Sequence, residues 1–130
     1  MNGSLQSSEE MRISPFDHGF TVGNGVFETM ISYEGYPFAF TRHYERLERS
    51  AAVMGLLLRP RNELLEASLQ VLDVNNLSGS PARLRITVTG GPAPLGSERG
   101  NSGETTLVAA SPTQAWSDME DVIVVSHSRN

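Results

Sequence analysis

The chain of 130 residues predicts an α+β fold, a two-layer sandwich in which a mainly antiparallel sheet carries two helices. Three observations lead there. Apolar and polar residues alternate along Val26–Tyr33 and again from Ala82 onward, the period of a half-buried strand. Between these runs, Arg42–Met54 and Pro60–Val74 repeat apolar residues at helical spacing. The order is strands, then two helices, then strands, without an internal repeat or a second domain.

Each element has its own signals. Residues 1–13 are polar and read as a flexible tail, and residues 14–130 read as one N-terminal α/β domain. Gly19, Gly23 and Gly25 mark backbone that turns tightly or lies close to something. Val26–Tyr33 has the β-branched and aromatic content of a strand. Glu34-Gly35 suits a hairpin turn, with Tyr36–Phe40 as the returning strand. Thr41 is the expected N-cap of a helix from Arg42 to about Met54. Its inward stripe is Tyr44, Leu47, Ala51 and Met54, and Gly55 fits its stop. Pro60 suits the first turn of a second helix, which buries Leu65, Leu69 and Leu72 with Leu64 and Val71 beside them. Leu84, Ile86 and Val88 then alternate with Arg83, Arg85, Thr87 and Thr89. Gly90–Gly103 holds five of the 12 glycines and two prolines, a long loop of the kind that is usually functional or mobile. Thr105–Ala110 and Val122–Val125 are the last expected strands.

Composition removes several functions. Ten basic side chains against 15 acidic ones give a net charge of −5, which argues against general nucleic-acid binding. A local basic cluster remains at Arg42, Arg46 and Arg49. Without cysteine there is no disulfide framework and no thiol nucleophile. The first ten residues lack an apolar signal segment, and no window approaches the roughly 18 apolar residues of a membrane span. A cytoplasmic location without membrane partners is therefore expected. His18, His43 and His127 lack metal-ligand spacing. Gly23-x-Gly25 lacks the third glycine of a dinucleotide site. Gly96–Gly103 lacks the lysine of a phosphate-binding loop, because all ten basic residues of the chain are arginine.

The segment Asp17-His18-Gly19-Phe20-Thr21-Val22-Gly23-Asn24-Gly25-Val26-Phe27-Glu28-Thr29 resembles the opening motif of the class IV (fold type IV) pyridoxal-phosphate enzymes. These include branched-chain and D-amino-acid aminotransferases and 4-amino-4-deoxychorismate lyases. His43-Tyr44-Glu45-Arg46-Leu47 resembles the family's His-x-x-Arg-Leu, and Arg83–Pro92 its strand and glycine turn beside the substrate. The resemblance spans about residues 12–130, the N-terminal portion of such an enzyme.

The resemblance implies that Arg46 binds the cofactor phosphate, a role suited to a planar, permanently charged guanidinium with several fixed donors. It places Phe27 and Thr29, which share one face of their strand, in the substrate pocket. Arg83 and Arg85 share a face of theirs and are candidates for holding a substrate carboxylate. Read alone, each of these residues also has a plain structural role: Phe27 as core, and the arginines as surface charge. Glu28, on the other side of its strand, suits an ion pair. Val22 stands where relatives often carry an aromatic residue, often tyrosine, and offers no hydroxyl. His18 stands where arginine is common, and as a lone histidine it suits the surface or a turn.

Pyridoxal-phosphate chemistry needs an amine to hold the cofactor aldehyde as a Schiff base and to move protons at the substrate α-carbon. This chain has no lysine, so no catalytic residue of that kind lies within it. In the family the lysine comes shortly after a strand followed by Arg-Asn, and Arg129-Asn130 follow Val122–Val125 here. The expectation is that the lysine and a larger C-terminal domain, absent here, belong beyond Asn130. The 130 residues alone would then be inactive. The resemblance further implies a homodimer whose substrates are an amino acid, a keto acid or aminodeoxychorismate, the last in folate synthesis. A non-catalytic stand-alone binding domain derived from the family is the alternative.

Overall fold

The computed structural model describes residues 1–96, 98, 100–113, 119, 121 and 123. A short turn of helix, α1 (His18–Thr21), precedes β1 (Gly25–Tyr33) and β2 (Tyr36–Pro37). Two longer helices follow, α2 (Phe40–Val53) and α3 (Arg61–Val74), and then β3 (Ala82–Thr89) and β4 (Thr105–Pro112). The sheet runs β2-β1-β3-β4 with every pairing antiparallel. The strand expected over Val122–Val125 falls outside the described residues apart from Ile123.

The alternation seen in the sequence sorts the strands into two faces. On one face lie Met30, Leu84, Ile86 and Val88, all buried, and α2 and α3 cover it. Phe40, Leu47 and Ala51 from α2, and Leu64 and Leu72 from α3, complete this core. On the other face Phe27 is 55% exposed, and Arg83 and Arg85 are exposed as well. No described helix is long and apolar enough to cross a membrane.

Four local expectations need correction. Thr41 lies inside α2, and the cap position is Ala39, in left-handed backbone at φ 50° with no side-chain cap bond. The returning strand is only two residues long, because Pro37 donates no ladder hydrogen bond and the chain turns into α2 at Ala39. The buried stripe of α3 is Leu64, Ser68 and Leu72, with Leu65 and Leu69 half-buried, so the helix is rotated from the expected leucine face. Ser68 tolerates burial because its hydroxyl donates to the Leu64 carbonyl at 2.6 Å. The hairpin turn does fall at Glu34-Gly35, both with positive φ (49° and 74°), the backbone a two-residue turn of matching twist requires.

The fourth correction concerns His18, which lies in a short turn but is 1% exposed and not at the surface. It opens α1, capped by Asp17, whose Oδ1 accepts from the Gly19 amide at 2.8 Å. Asp17 Oδ2 accepts from the Thr105 hydroxyl at 2.7 Å, and His18 Nε2 bonds the Pro94 carbonyl at 3.0 Å. These contacts tie the glycine-rich opening segment to β4 and to the long loop after β3. At the N-terminus, the Asn2 amide donates to the Thr106 carbonyl, and Asn2 Oδ1 accepts from the Thr106 amide.

Candidate functional site

β1 has an alternation that assigns its candidate side chains to opposite faces. Phe27 and Thr29 project from the open face, Glu28 from the helix-covered one. Across the ladder, Phe27 faces Thr87, Thr29 faces Arg85 and Ile31 faces Arg83. The Arg85 guanidinium lies over the Phe27 ring, 3.6 Å from its centroid. This cation–π contact leaves the edge N–H groups of the guanidinium available. Arg85 Nε also donates to Thr87 Oγ1 at 3.3 Å. Among the described residues neither Arg83 nor Arg85 has an acidic partner.

The α1 turn bounds one end of this open face. Thr89 and Thr105 are paired in the sheet and belong to the open side. Asp17 bonds Thr105, and a Cβ placed on Gly19 would fall 2.3 Å from Thr89 Cγ2. Glycine at 19 is therefore a packing requirement: α1 sits on the sheet as closely as backbone can. Val22, 47% exposed, caps the end of this turn. The structure thus gathers Phe27, Thr29, Arg83 and Arg85 onto one surface with Val22 on the element at its rim.

Arg46 is elsewhere. It projects from α2 toward the helix-covered side of β1, where Glu28 Oε1 accepts from its Nε and Oε2 from its Nη2, both at 2.5 Å. Glu28 Oε2 also bonds His43 Nδ1 at 2.8 Å. The carboxylate is 6% exposed, while the Arg46 side chain is 59% exposed. Burial by itself pushes the Glu28 carboxyl up. The hydrogen bonds and charges of Arg46 and His43 outweigh it and hold the carboxyl below its ordinary range. The same contact raises the Arg46 guanidinium pKa further. Nη1 of Arg46 has no partner among the described residues.

Alternation foretold the shared faces and the opposite course of Glu28. It did not foretell that Glu28 would reach Arg46, 18 positions on, since helix packing sets that distance. The Asp17–Thr105 bond was also missed, and only the cap-like Asp17 two residues before Gly19 hinted at it. A surface hollow of about 500 Å3 lies between the N-terminal segment and α3, walled in part by Leu64, Val71 and Val74. It includes neither Arg46 nor Phe27. No cluster of potential metal ligands exists among the described residues.

A layer of antiparallel strands lies under two helices, with an arginine-bearing open face and a carboxylate-gripped arginine on the first long helix. The sequence profile of the amino-transferase class IV family matches residues 25–130, and the chain belongs to that family. Aminodeoxychorismate lyase of Bacillus subtilis is 38% identical over 92 residues, 70% of this chain and 31% of the relative. D-alanine aminotransferase of Staphylococcus aureus is 35% identical over 88 residues, 67% of this chain and 31% of the relative. The branched-chain amino acid aminotransferase of Escherichia coli superposes with a TM-score of 0.79 at 26% identity, over 88% of this chain and 39% of that one. The chain spans about a third of the length of the curated relatives it matches. The family depends on pyridoxal phosphate.

Proposed function

We propose that the chain is the N-terminal domain of a pyridoxal-phosphate enzyme, an aminotransferase or a 4-amino-4-deoxychorismate lyase. The observation that carries this reading is Arg46. Its guanidinium, on a half-exposed side chain, is gripped at Nε and Nη2 by a buried carboxylate, and its Nη1 has no partner among the described residues. That arrangement fits the phosphate end of the cofactor, which needs a permanent positive charge with directed donors. It does not fit the aldehyde end, because the 130 residues contain no lysine. When bound, pyridoxal phosphate supplies an electron sink for bond cleavage at the substrate α-carbon. Of this chain's residues, Arg46 holds the phosphate ester, Phe27 and Thr29 wall the substrate, and Arg83 or Arg85 takes a carboxylate. Val22 borders the same surface without a hydroxyl.

Between the two reactions, Gly25-Val26-Phe27-Glu28-Thr29 and the short hairpin at Glu34-Gly35 favour the lyase, which releases pyruvate and 4-aminobenzoate. The similarity to the B. subtilis lyase leans the same way. Transamination of branched-chain or D-amino acids is the competing activity. Homodimer formation and a cytoplasmic, folate-related or amino-acid-related role accompany the reading.

Pyridoxal phosphate mixed with the 130-residue chain tests it directly. The expected result is reversible binding that Arg46→Ala abolishes, with no absorbance band fixed by borohydride. Equal binding by the variant removes Arg46 from the site. A borohydride-fixed band that persists when the Met1 amine is blocked refutes the argument that the Schiff-base residue lies outside these 130 residues. The absence of lysine also favours a second reading, a non-catalytic binding domain. The gene decides between them: a stop codon after Asn130 supports the binding domain, and an open frame that soon supplies a lysine supports the enzyme. The product of such a frame, assayed with both substrate classes, separates lyase from aminotransferase.

A further inference from the structure

Glu28 is out of place on its face of the sheet. Its neighbours there, Met30 and the cross-strand Ile86, are buried and apolar, yet a carboxylate stands among them at 6% exposure. A buried charge is costly unless paired, and a buried pair is often no more stabilising than apolar side chains of the same size. Stability is therefore a poor reason for this residue. Geometry is a better one. The two carboxylate oxygens receive three donors, Arg46 Nε, Arg46 Nη2 and His43 Nδ1. A carboxylate only accepts, so His43 must carry its hydrogen on Nδ1 in this contact. The Nδ1 to Arg46 Nη2 approach of 3.3 Å is then a contact between two donors, and the carboxylate is the partner both share.

We propose that Glu28 is the positioning residue that holds Arg46 ready for a phosphate ester, with His43 fixing Glu28 in turn. The inference rests on the reading of Arg46 given above. An exposed arginine on a flexible stem loses rotamer freedom when it binds an anion. Here two of its nitrogens are already held, so that loss is largely complete before the ligand arrives. The negative charge of Glu28 weakens the long-range pull of Arg46 on an anion. The short, directed bonds from Nη1 survive this, because they depend on orientation. The arrangement favours a ligand that approaches closely over a diffuse cloud of counter-ions.

The test uses pyridoxine 5′-phosphate and pyridoxine, which lack the aldehyde and differ only in the phosphate. Both are titrated into the wild-type chain, Arg46→Ala, Glu28→Gln and His43→Ala, with circular dichroism confirming each fold. The wild type is expected to prefer the phosphate ester, and Arg46→Ala to abolish that preference. Glu28→Gln, with Arg46 intact, is expected to lower it roughly tenfold, the scale of a lost charge-assisted contact. His43→Ala should lower it less. A folded Glu28→Gln chain with the wild-type preference overturns the positioning role, while the effect of Arg46→Ala leaves the reading of Arg46 standing. A wild type without any preference removes that reading, and the positioning role falls with it. If Glu28→Gln does not fold, the Arg46 Nε–H resonance of the wild type decides. A distinct, slowly exchanging signal supports the clamp, and one averaged with the other arginines overturns it.

Discussion

The two faces of the sheet are built from the same strands and obey different rules. On the covered face of β3, Leu84, Ile86 and Val88 are buried to within 1% of full burial. On the open face of the same strand, Arg83 and Arg85 are exposed and free of acidic partners among the described residues. The arginines show the contrast most sharply. Arg46, reaching the covered face, is held by a buried carboxylate; Arg85, on the open face, rests on an aromatic ring. Buried apolar packing is concentrated on one side and exposed charge on the other, so substitutions one position apart should have unlike consequences.

The largest expected effect is on the covered face. Leu84→Ala removes a side chain with no exposed surface from the middle of the core. It should cost about 2–5 kcal/mol in urea unfolding, through lost burial and the cavity left behind. A loss below about 1 kcal/mol would mean that the covered face is not the chain's principal core, and the comparison would break there. Next comes the rim. Gly91 has φ 69°, and a Cβ there would lie 1.9 Å from the Gly103 carbonyl oxygen. Backbone must move to admit it, in a conformation that costs an L-residue about 1–2 kcal/mol even without a clash. Gly91→Ala is expected to destabilise by at least that much and to loosen the loop, read as faster proteolysis between residues 92 and 103.

Much of this division was legible beforehand. Period-two alternation assigned Phe27, Thr29, Arg83 and Arg85 to shared faces, because side chains of a strand must alternate whatever the tertiary structure. The hairpin at Glu34-Gly35 was legible because Gly35 adopts positive φ cheaply and sits between two strand-like runs. What escaped was set by contacts distant in sequence. The rotation of α3 is one case: apolar residues crowd its sequence, and packing against the sheet and α2 selects Leu64, Ser68 and Leu72 as the inner stripe. The start of α2 is another, since Thr41 has the chemistry of a cap and the chain instead enters the helix through left-handed Ala39. His18 shows the reverse error. Its burial depends on the Pro94 carbonyl, 76 residues away, which no local pattern announces.

Asp17 sharpens the comparison from the rim. It caps α1 and receives the Thr105 hydroxyl, so Asp17→Ala removes two hydrogen bonds at a buried position. A loss of about 1–2 kcal/mol is expected. Hydrogen exchange should rise locally at Gly19 and Thr105 and remain slow at Leu84; a uniform rise across the core would show that rim and core are one unit. The Glu28 pair gives a smaller, pH-dependent effect. Its carboxyl lies below the ordinary range in the folded chain, so its contribution is present above the unfolded value of roughly 4.3. It is lost as pH falls through the folded value. Urea midpoints measured downward from pH 6 should fall in the wild type, and the Glu28→Gln chain should lack that component. Parallel curves would assign the acid sensitivity to other carboxylates.

The smallest effect separates the two faces most cleanly. Arg85 neighbours Leu84 in sequence and differs from it in everything that matters to stability. Its contact with the Phe27 ring is exposed, and such contacts contribute about 0.5–1 kcal/mol. Arg85→Ala should therefore change the urea midpoint barely, while the Leu84→Ala chain loses several times more. Phe27→Ala in the Arg85→Ala background isolates the stacking: the double variant should lose less than the sum of the two single losses. If Arg85→Ala instead destabilised as much as Leu84→Ala, the open face would be a structural surface in its own right. A near-neutral Arg85→Ala means that the guanidinium contributes little to the stability of the fold.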